Sequence, residues 1–221
     1  MIETIKNNLL QMLKENEDIQ KKPHDCYSEM KYPKWIPLMR FYVDQYEIPS
    51  FGTLMTMHTK TKMGMELLTL SFMPGCGMDL PYLLIDAMEM KKKRCVFVEY
   101  YACGEEGLRD EKLQDVHSRF NGLPEYPEKP NWYIGEREPY SLIKSGTAEE
   151  LLKMTEESLK AYLETIKEGE LRPGYREKLS AFRERMIKEG NPSSRTLEML
   201  LNKDGAVTFM KEVVMPVRTD I

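Results

Sequence analysis

The feature that most constrains the fold of this chain is a block at residues 53–101 in which side chains of different character alternate with period two. Successive side chains of a β-strand point to opposite faces, so the alternation predicts strands. The turn sequences KTKMG, PGCGMD and EMKKK divide the block into four runs. Connections this short favour antiparallel neighbours, because a parallel return needs a longer crossover. We therefore expect an antiparallel meander, with strands at residues 53–59, 65–73, 80–88 and 94–101.

Helical spacing of apolar residues prevails outside the meander. Thr147 is a predicted N-cap, with Glu150 as its capping-box partner three positions later. Residues 21–52 contain prolines at 23, 33, 37 and 49, which break helices, so we expect a connecting segment there. The other expected elements are helices at 2–15, within 104–120, at 147–167 and at 174–189, a short strand at 140–144, and two short helical pieces after residue 190.

The order of these elements predicts the fold class. Strands come first and helices mostly follow, which is typical of α+β proteins. No linker requires a division, so residues 1–221 are predicted to form a single domain.

Composition and charge exclude several classes of protein. The 32 basic and 36 acidic residues give a net charge of -4, which disfavours a nucleic-acid binder. The amino-terminal stretch lacks the basic region and apolar core of a signal peptide, and no apolar run is long enough to span a membrane. The four cysteines form no CxxC pair and are expected to be reduced thiols. These observations predict a soluble cytoplasmic protein with no nucleic-acid or membrane partner.

Familiar site motifs are absent from the sequence. There is no GxGxxG after a strand, no GK[ST], no GxSxG and no HExxH. The histidines lie far apart without metal-ligand spacing. We therefore expect no metal site, and no motif indicates a nucleotide or a serine nucleophile.

Two residues in the strand block are candidate proton donors. Glu99 shares a strand face with Cys95 and Phe97, so it lies either in an interior cavity or at a strand end facing water. Burial in a cavity would raise its pKa and make it a proton donor near neutral pH. His58 is either an ordinary hydrogen-bonded strand residue or a proton donor in a sheet-lined pocket. The pattern leaves both alternatives open for each residue.

Two compositional features have a structural and a functional interpretation. The lysine-rich run at residues 91–94 is either a solvated hairpin tip or a docking patch for an acidic partner protein. The 17 methionines either fill the core or line an adaptable cavity for a large planar ligand.

Three segments, in order, resemble the ferredoxin-dependent bilin reductases, a superfamily whose relatives include the red chlorophyll catabolite reductases. They are FMPGCGMDLPYLLIDAM with the following strand CVFVEYY, then NWYIGEREPYSLIKSGTAEE, and finally NPSSRTLEMLLNKDGAVTFMKEVVM. The resemblance implies a three-layer α/β/α sandwich around one antiparallel sheet. It also implies reduction of a linear tetrapyrrole, with electrons from ferredoxin as an external donor, protons from pocket side chains, and no bound flavin or nicotinamide.

The resemblance also implies roles for particular residues. Glu99 takes the place of the family's central aspartate and His58 stands near a histidine–glutamate pair, both as catalytic candidates. The substrate-binding candidates are Thr69 at a histidine position, Asn191, and the cations Lys144 and Arg195 for the ligand propionates.

The family pattern is incomplete in this chain. Pro192 replaces an aspartate, and Thr69 replaces a histidine. An oxidoreductase acting on a bilin-like double bond is the favoured interpretation, because an acid is retained at Glu99. A non-catalytic tetrapyrrole-binding or carrier protein on the same fold is the alternative, because other proton donors are lost.

Overall fold

The computed structural model describes residues 1–23, 26–75, 80–101, 111–166 and 175–217, with the side chains of Ile166 and Tyr175 excepted. The strands are β1 (Gln20–Lys22), β2 (Glu29–Tyr32), β3 (Met39–Ile48), β4 (Gly52–Thr61), β5 (Met65–Pro74), β6 (Tyr82–Met90), β7 (Lys93–Tyr101) and β8 (Leu142–Ser145). The helices are α1 (Ile2–Asn16), α2 (Glu111–Phe120), α3 (Ala148–Ile166), α4 (Tyr175–Glu189) and α5 (Ser194–Phe209), together with a 3₁₀ turn at Trp132–Glu136 and a π-helical segment at Met210–Val214.

One antiparallel sheet organises the molecule. Its strand order is β1-β3-β4-β5-β6-β7-β8, and β2 pairs with β3 on the same edge as β1. Strands β4 to β7 are the predicted meander, which the structure confirms with boundaries that differ by up to two residues. The turn at residues 76–79 lies outside the described residues.

The prediction that residues 21–52 only connect other elements was wrong. This stretch contains β2 and the ten-residue strand β3, which pairs with β4 along its full length. Its prolines do not interrupt the ladder, because Pro33 and Pro37 lie in the β2–β3 loop and Pro49 follows the end of β3. Alternation in MRFYVDQYEI was therefore a better guide than proline content.

One side of the sheet, here called the α1 face, is covered by α1, α2 and α3. Most of its buried residues are apolar, among them Leu68, Leu70 and Phe72 of β5. Tyr162 of α3 packs edge-on against Phe72 and donates a hydrogen bond from its hydroxyl to the Pro81 carbonyl at 2.7 Å. This dense apolar contact joins the first layer of helices to the sheet.

The opposite side, here called the α5 face, is covered by α4, α5 and the π-helical segment. Ser71 of β5 donates a hydrogen bond to the Val214 carbonyl at 2.6 Å, and Gln45 of β3 donates to the Glu212 carbonyl at 3.0 Å. Phe182 of α4 packs on the ring of Tyr101, with centroids 4.9 Å apart. Helices on both faces of one antiparallel sheet make the three-layer α/β/α sandwich that the sequence predicted.

Helix boundaries follow local chemistry. Thr147 accepts a hydrogen bond from the Glu150 backbone at 3.2 Å and Glu150 accepts one from the Thr147 backbone at 2.8 Å, which confirms the capping box. The closing segment forms two helical pieces, as predicted, because Asn202 adopts φ 61° and kinks α5. The side chain of Asn202 accepts a hydrogen bond from the Gly205 amide at 3.0 Å. Predicted helical residues 104–110, 167 and 174 lie outside the described residues.

Three observations about thiols, metal-binding side chains and membrane spans hold for the described residues only. Cys26 and Cys95 are free thiols, whereas Cys76 and Cys103 lie outside the described ranges. Within those ranges no three metal-binding side chains cluster together. No described helix has both the length and the apolarity needed to cross a bilayer.

Candidate active site

The helices leave one corner of the α5 face partly exposed, on the internal strands β5, β6 and β7 and the edge strand β8. Met88 pairs with Leu67 across β5–β6, and Asp86 pairs with Phe97 across β6–β7. All four residues are half-buried, whereas most residues on the other face of these strands are buried. We call this part of the sheet the open corner, consisting of Leu67, Leu84, Asp86, Met88, Phe97 and Ile143. It combines apolar surface with a carboxyl group.

Asp86 lies in the middle of β6, directly opposite Thr69 of β5. The Thr69 hydroxyl donates a hydrogen bond to the Asp86 carboxylate. Part of the residue reaches the surface, but the surrounding strands enclose its carboxyl group. This burial raises the pKa of Asp86 to about 6, against the opposing effect of the Thr69 hydrogen bond.

Glu99 lies on the neighbouring strand β7 and is only 4% exposed. The Tyr101 hydroxyl donates a hydrogen bond to Glu99 Oε1 at 2.9 Å. Burial is the main cause that raises the pKa of Glu99 to about 7, and the charges of Asp86 and Glu128 act in the same direction. Arg137 and the Tyr101 hydrogen bond oppose the shift.

Arg137 is the cation beside Glu99. Its Nε lies 2.6 Å from Glu99 Oε1, although the N–H group is not oriented for a hydrogen bond. Its two terminal nitrogens each donate a 2.6 Å hydrogen bond to the carboxylate of Glu128. A 2.8 Å backbone hydrogen bond from Glu138 to Tyr100 holds this segment against the end of β7. The planar guanidinium thus bridges a deeply buried acid and a more exposed one.

The two strand acids are close enough to influence each other. Glu99 pairs with Leu84, two positions from Asp86 on β6, so the acids are diagonal neighbours on one sheet face. Such positions are roughly 7–8 Å apart. Because their pKa values are about 6 and about 7, both carboxyl groups exchange protons near neutral pH in the same region of the sheet. This arrangement is suited to delivering protons to a ligand on the open corner.

No family model matches the chain, and no curated protein matches it. The structure is similar to the crystal structure of selenomethionine phytochromobilin synthase from tomato in complex with biliverdin, with a TM-score of 0.80. The match covers 97% of this chain and 82% of that chain at 13% sequence identity. The chain has the bilin reductase fold. The low identity means that the fold is shared while most side chains differ.

Within the bilin reductase fold, the sequence-predicted residues occupy both faces of the sheet. Thr69 and Glu99 both lie on the α5 face, beside and beneath the open corner. His58 lies on the α1 face, where its Nε2 is 2.9 Å from Glu66 Oε2 and its Nδ1 is 3.4 Å from Glu3 Oε1. The two candidate proton donors, His58 and Glu99, therefore project to opposite sides of the sheet and do not share a pocket, and the catalytic role of each stays a prediction.

Lys144, predicted as a cation for a ligand propionate, lies away from the open corner. It lies on the α1 face, opposite Val96, and is 1% exposed. Its ammonium group donates to the Asn121 carbonyl at 2.9 Å and to the Glu125 carboxylate. A buried lysine with these partners on that face is not positioned to bind a propionate at the open corner.

Asn191 and Arg195 lie at the turn between α4 and α5. The Asn191 side chain accepts a 2.9 Å hydrogen bond from the Ser193 amide, so it shapes the start of α5. Arg195 is exposed. Their roles in ligand binding stay predictions.

Sequence reasoning missed Asp86 and Arg137 as site residues. Asp86 carried a signal, because it interrupts the apolar positions Leu84 and Met88 on one face of a strand. Arg137 carried none, because it comes from a loop and meets Glu99 only in the folded chain.

Proposed function

We propose that this protein binds a linear tetrapyrrole at the open corner and reduces one of its double bonds. Ferredoxin supplies the electrons, Asp86 and Glu99 supply protons, and no flavin or nicotinamide is bound. The reaction takes place in the cytoplasm. The proposal rests on the bilin reductase fold together with two acids whose pKa values are raised to about 6 and about 7.

The pair of raised pKa values is the observation that carries the proposal. An acid with an ordinary pKa is ionised at neutral pH and has no proton to donate. Enclosed by β-strands, Asp86 and Glu99 both retain protons closer to neutrality. Efficient general acids have pKa values near the working pH, so these groups are suited to proton delivery.

The proposed reaction balances with two electrons and two protons. Each ferredoxin delivers one electron, and each electron transfer to the tetrapyrrole is followed by protonation of the resulting anionic radical or anion. Asp86 and Glu99 become carboxylates as they donate, and protons from solvent restore them. Arg137 stabilises the Glu99 carboxylate after donation, because its guanidinium lies 2.6 Å away.

The open corner also has the surface that a tetrapyrrole requires. Leu84, Met88 and Phe97 present half-buried apolar groups on either side of Asp86. The Thr69 hydroxyl fixes the orientation of the Asp86 carboxyl group by donating a hydrogen bond to it. Arg195 is the remaining predicted partner for a propionate, since it is exposed and its planar fork matches a carboxylate.

The test has a binding stage and a turnover stage. Purified protein is titrated with biliverdin while its visible absorption spectrum is followed, and turnover is then measured anaerobically with reduced ferredoxin. Asp86→Asn and Glu99→Gln keep the side-chain shapes but cannot donate a carboxyl proton. We expect near-normal binding and a ~100- to 10,000-fold loss of turnover in each variant.

Two further variants test whether turnover depends on residues of the α1 face. Glu66→Gln is the matched control, an acid-to-amide change on the α1 face that should leave turnover unchanged. His58→Gln tests the other sequence-predicted donor, which should also have little effect because it faces α1. Wild-type turnover by both Asp86→Asn and Glu99→Gln would rule out the proposed donors. Absence of a saturable spectral change would rule out the tetrapyrrole site.

The lysine-rich β6–β7 turn is the proposed docking site for ferredoxin. Lys91, Lys92 and Lys93 are exposed, whereas Arg94 is paired with Glu89 at 2.6 Å. The turn is at the Met88 end of β6, the same end as the open corner. Replacing the three lysines with alanine should slow electron transfer from ferredoxin and weaken its salt dependence. Unchanged rates at low and high salt would contradict this docking site.

A non-catalytic tetrapyrrole carrier is the second candidate function. The contact between Arg137 and Glu99 favours it, because a nearby cation stabilises the ionised carboxylate and weakens it as a proton donor. A saturable spectral shift with biliverdin, without turnover by reduced ferredoxin, would support the carrier over the enzyme.

A further inference from the structure

One end of the sheet carries three neighbouring hairpin connections, the β2–β3 loop, the β4–β5 turn and the β6–β7 turn. Met39 pairs with Thr61 and Met65 pairs with Met90, so the three connections lie side by side. With strands about 4.8 Å apart, the row spans roughly 20 Å. We call this part of the molecule the tip end, consisting of residues 33–38, 62–64 and 90–93.

Large apolar side chains project from all three connections. The exposed fractions are 95% for Trp35, 67% for Ile36, 53% for Leu38, 83% for Met63 and 40% for Met90. In the described part of the chain, the one other large apolar side chain with comparable exposure is Met199, on α5. Scattered exposed apolar residues are ordinary, but a concentration at one end of a molecule marks a contact surface.

Exposed lysines accompany these apolar groups. Lys34, Lys62, Lys91, Lys92 and Lys93 are exposed, and none forms an ion pair with a carboxylate in the described ranges. The whole chain nevertheless has a net charge of -4. The tip end is therefore cationic on an acidic protein, and it is complementary to an anionic surface.

We propose that the tip end binds the surface of an anionic lipid bilayer. Trp35, Ile36 and Met63 enter the head-group region, and the lysines contact anionic head groups. Tryptophan is favoured at this depth, and lysines near an anionic leaflet add to the affinity. The proposal extends beyond the proposed function, and it shares Lys91, Lys92 and Lys93 with the proposed ferredoxin site; Trp35, Ile36 and Met63 belong to the lipid contact alone.

The shape of the tip end favours lipid over a protein partner. Its apolar groups project from three separate connections, so a folded partner would need a matching depression for each one. A fluid bilayer accommodates separate projections without a preformed site. The sequence predicted no membrane partner because no segment can span a bilayer, but contact with a surface requires only exposed apolar groups and cations.

Vesicle binding tests the proposal directly. The full chain is sedimented with phosphatidylcholine vesicles and with vesicles containing roughly one-third phosphatidylserine. We expect binding to the anionic vesicles, and at least ~10-fold weaker binding to the neutral ones. The double variant Trp35→Ser and Ile36→Ser should weaken anionic binding by ~10-fold or more, because the buried apolar area is lost.

Matched controls distinguish the tip end from general surface effects. Met199→Ser removes an exposed apolar residue from α5, and Lys153→Gln with Lys160→Gln removes exposed positive charge from α3. Both controls should bind anionic vesicles as the wild type does. Because Trp35 is almost fully exposed, its replacement should leave the fold unchanged, which circular dichroism verifies.

Tryptophan fluorescence provides a second measurement. Trp35 is exposed, whereas Trp132 is fixed by a 2.8 Å hydrogen bond to the Gly190 carbonyl. Anionic vesicles should shift the emission to shorter wavelength in the wild type but not in Trp35→Ser, which retains Trp132.

Three results would overturn the proposal. They are no binding to anionic vesicles, equal binding by the wild type and the Trp35/Ile36 double variant, and an emission shift that persists without Trp35. Binding of an acidic protein such as ferredoxin that is lost in the double variant, together with no vesicle binding, would assign the tip end to a protein partner instead. Ferredoxin docking through Lys91, Lys92 and Lys93 alone does not depend on Trp35.

Discussion

The two faces of the sheet differ in how their polar residues are arranged. On the α1 face, Tyr162 and its aromatic neighbours fill the space between sheet and helices, and the buried His58 and Lys144 contact carboxylates. On the α5 face, Asp86 and Glu99 lie at the edge of an incompletely covered region. One face stabilises the protein by packing, and the other holds acids in an unfavourable environment. Such concentrations of perturbed acids occur at functional sites more often than in structural cores.

This difference also explains how two proteins can share the fold while most of their side chains differ. Most positions of the α1 face require only apolar residues of suitable volume, so they tolerate extensive sequence change. That tolerance is consistent with 13% identity at a TM-score of 0.80 to the tomato protein. The α5 face depends on particular carboxyl groups and their neighbours, so single substitutions there should alter chemistry more than stability.

The largest expected effect is on packing at the α1 face. Tyr162→Ala removes a fully buried ring and should lower the free energy of unfolding by ~3–5 kcal/mol. Phe97→Ala at the open corner removes a half-buried ring that packs on Tyr126, and should cost only ~1–2 kcal/mol. Urea unfolding followed by circular dichroism measures both. Equal losses would show that the open corner is packed as firmly as the α1 face.

The next largest effect concerns the cation at the α5 face. Arg137→Gln leaves Glu99 and Glu128 without their shared partner and should cost ~3 kcal/mol at pH 8. The cost should be smaller at pH 5, because Glu99 becomes neutral by protonation. Arg185→Gln is the control, since Arg185 forms exposed ion pairs and should matter far less. A cost that does not change with pH would mean that Glu99 does not change its protonation state between pH 5 and pH 8, and would contradict a pKa of about 7.

The pH dependence of stability should originate largely from the α5 face. A carboxyl group whose pKa is raised on folding binds its proton more tightly in the folded state than in the unfolded state. The free energy of unfolding should therefore fall as pH rises from about 4 through the folded pKa values, about 6 for Asp86 and about 7 for Glu99.

Asp86→Asn removes one of these groups and should flatten the pH profile. Allowing for its partial exposure, the variant should be ~2 kcal/mol more stable than the wild type at pH 8. At pH 4 the two should be nearly equal, because Asp86 is then protonated. Parallel profiles for variant and wild type would contradict a raised pKa. A gain in stability with a loss of turnover would show that the acid is retained for function.

The sequence predicted the sheet better than the layers on either side. Period-two alternation identified β4 to β7, because it reports directly on strand geometry. The same alternation is present in β3, but proline content obscured it. Alternation also placed Glu99 on one side of β7, yet it gives no information about which helices cover that side.

The composition of the site was less predictable for a physical reason. His58, Lys144 and Glu99 are all polar residues in strands. The local sequence does not show which side of each strand lies on the α1 face and which lies on the α5 face. The environment of Glu99 depends on Arg137 and Glu128, which lie in a later loop. Contacts at such sequence separation follow from the three-dimensional fold and leave no local pattern.

The smallest expected effect tests whether a polar group on the α1 face contributes to turnover. Thr56 is fully buried there, and its hydroxyl has no hydrogen-bond partner among the described residues. Thr56→Val replaces this hydroxyl with a methyl group of similar size. Removing an unsatisfied buried polar group should raise the free energy of unfolding by ~1 kcal/mol. Urea unfolding at pH 8 measures the change.

The pH profile and the turnover of Thr56→Val complete the comparison. Because threonine does not titrate, the gain in stability should be the same at pH 5 and pH 8, unlike that of Asp86→Asn. Turnover should not change, since Thr56 pairs with Asp44 and Leu70 on the face opposite the acids. A loss of stability would instead indicate that the hydroxyl has a bound partner. A loss of turnover would place a functional group on the α1 face, and the division of roles between the two faces would then be wrong.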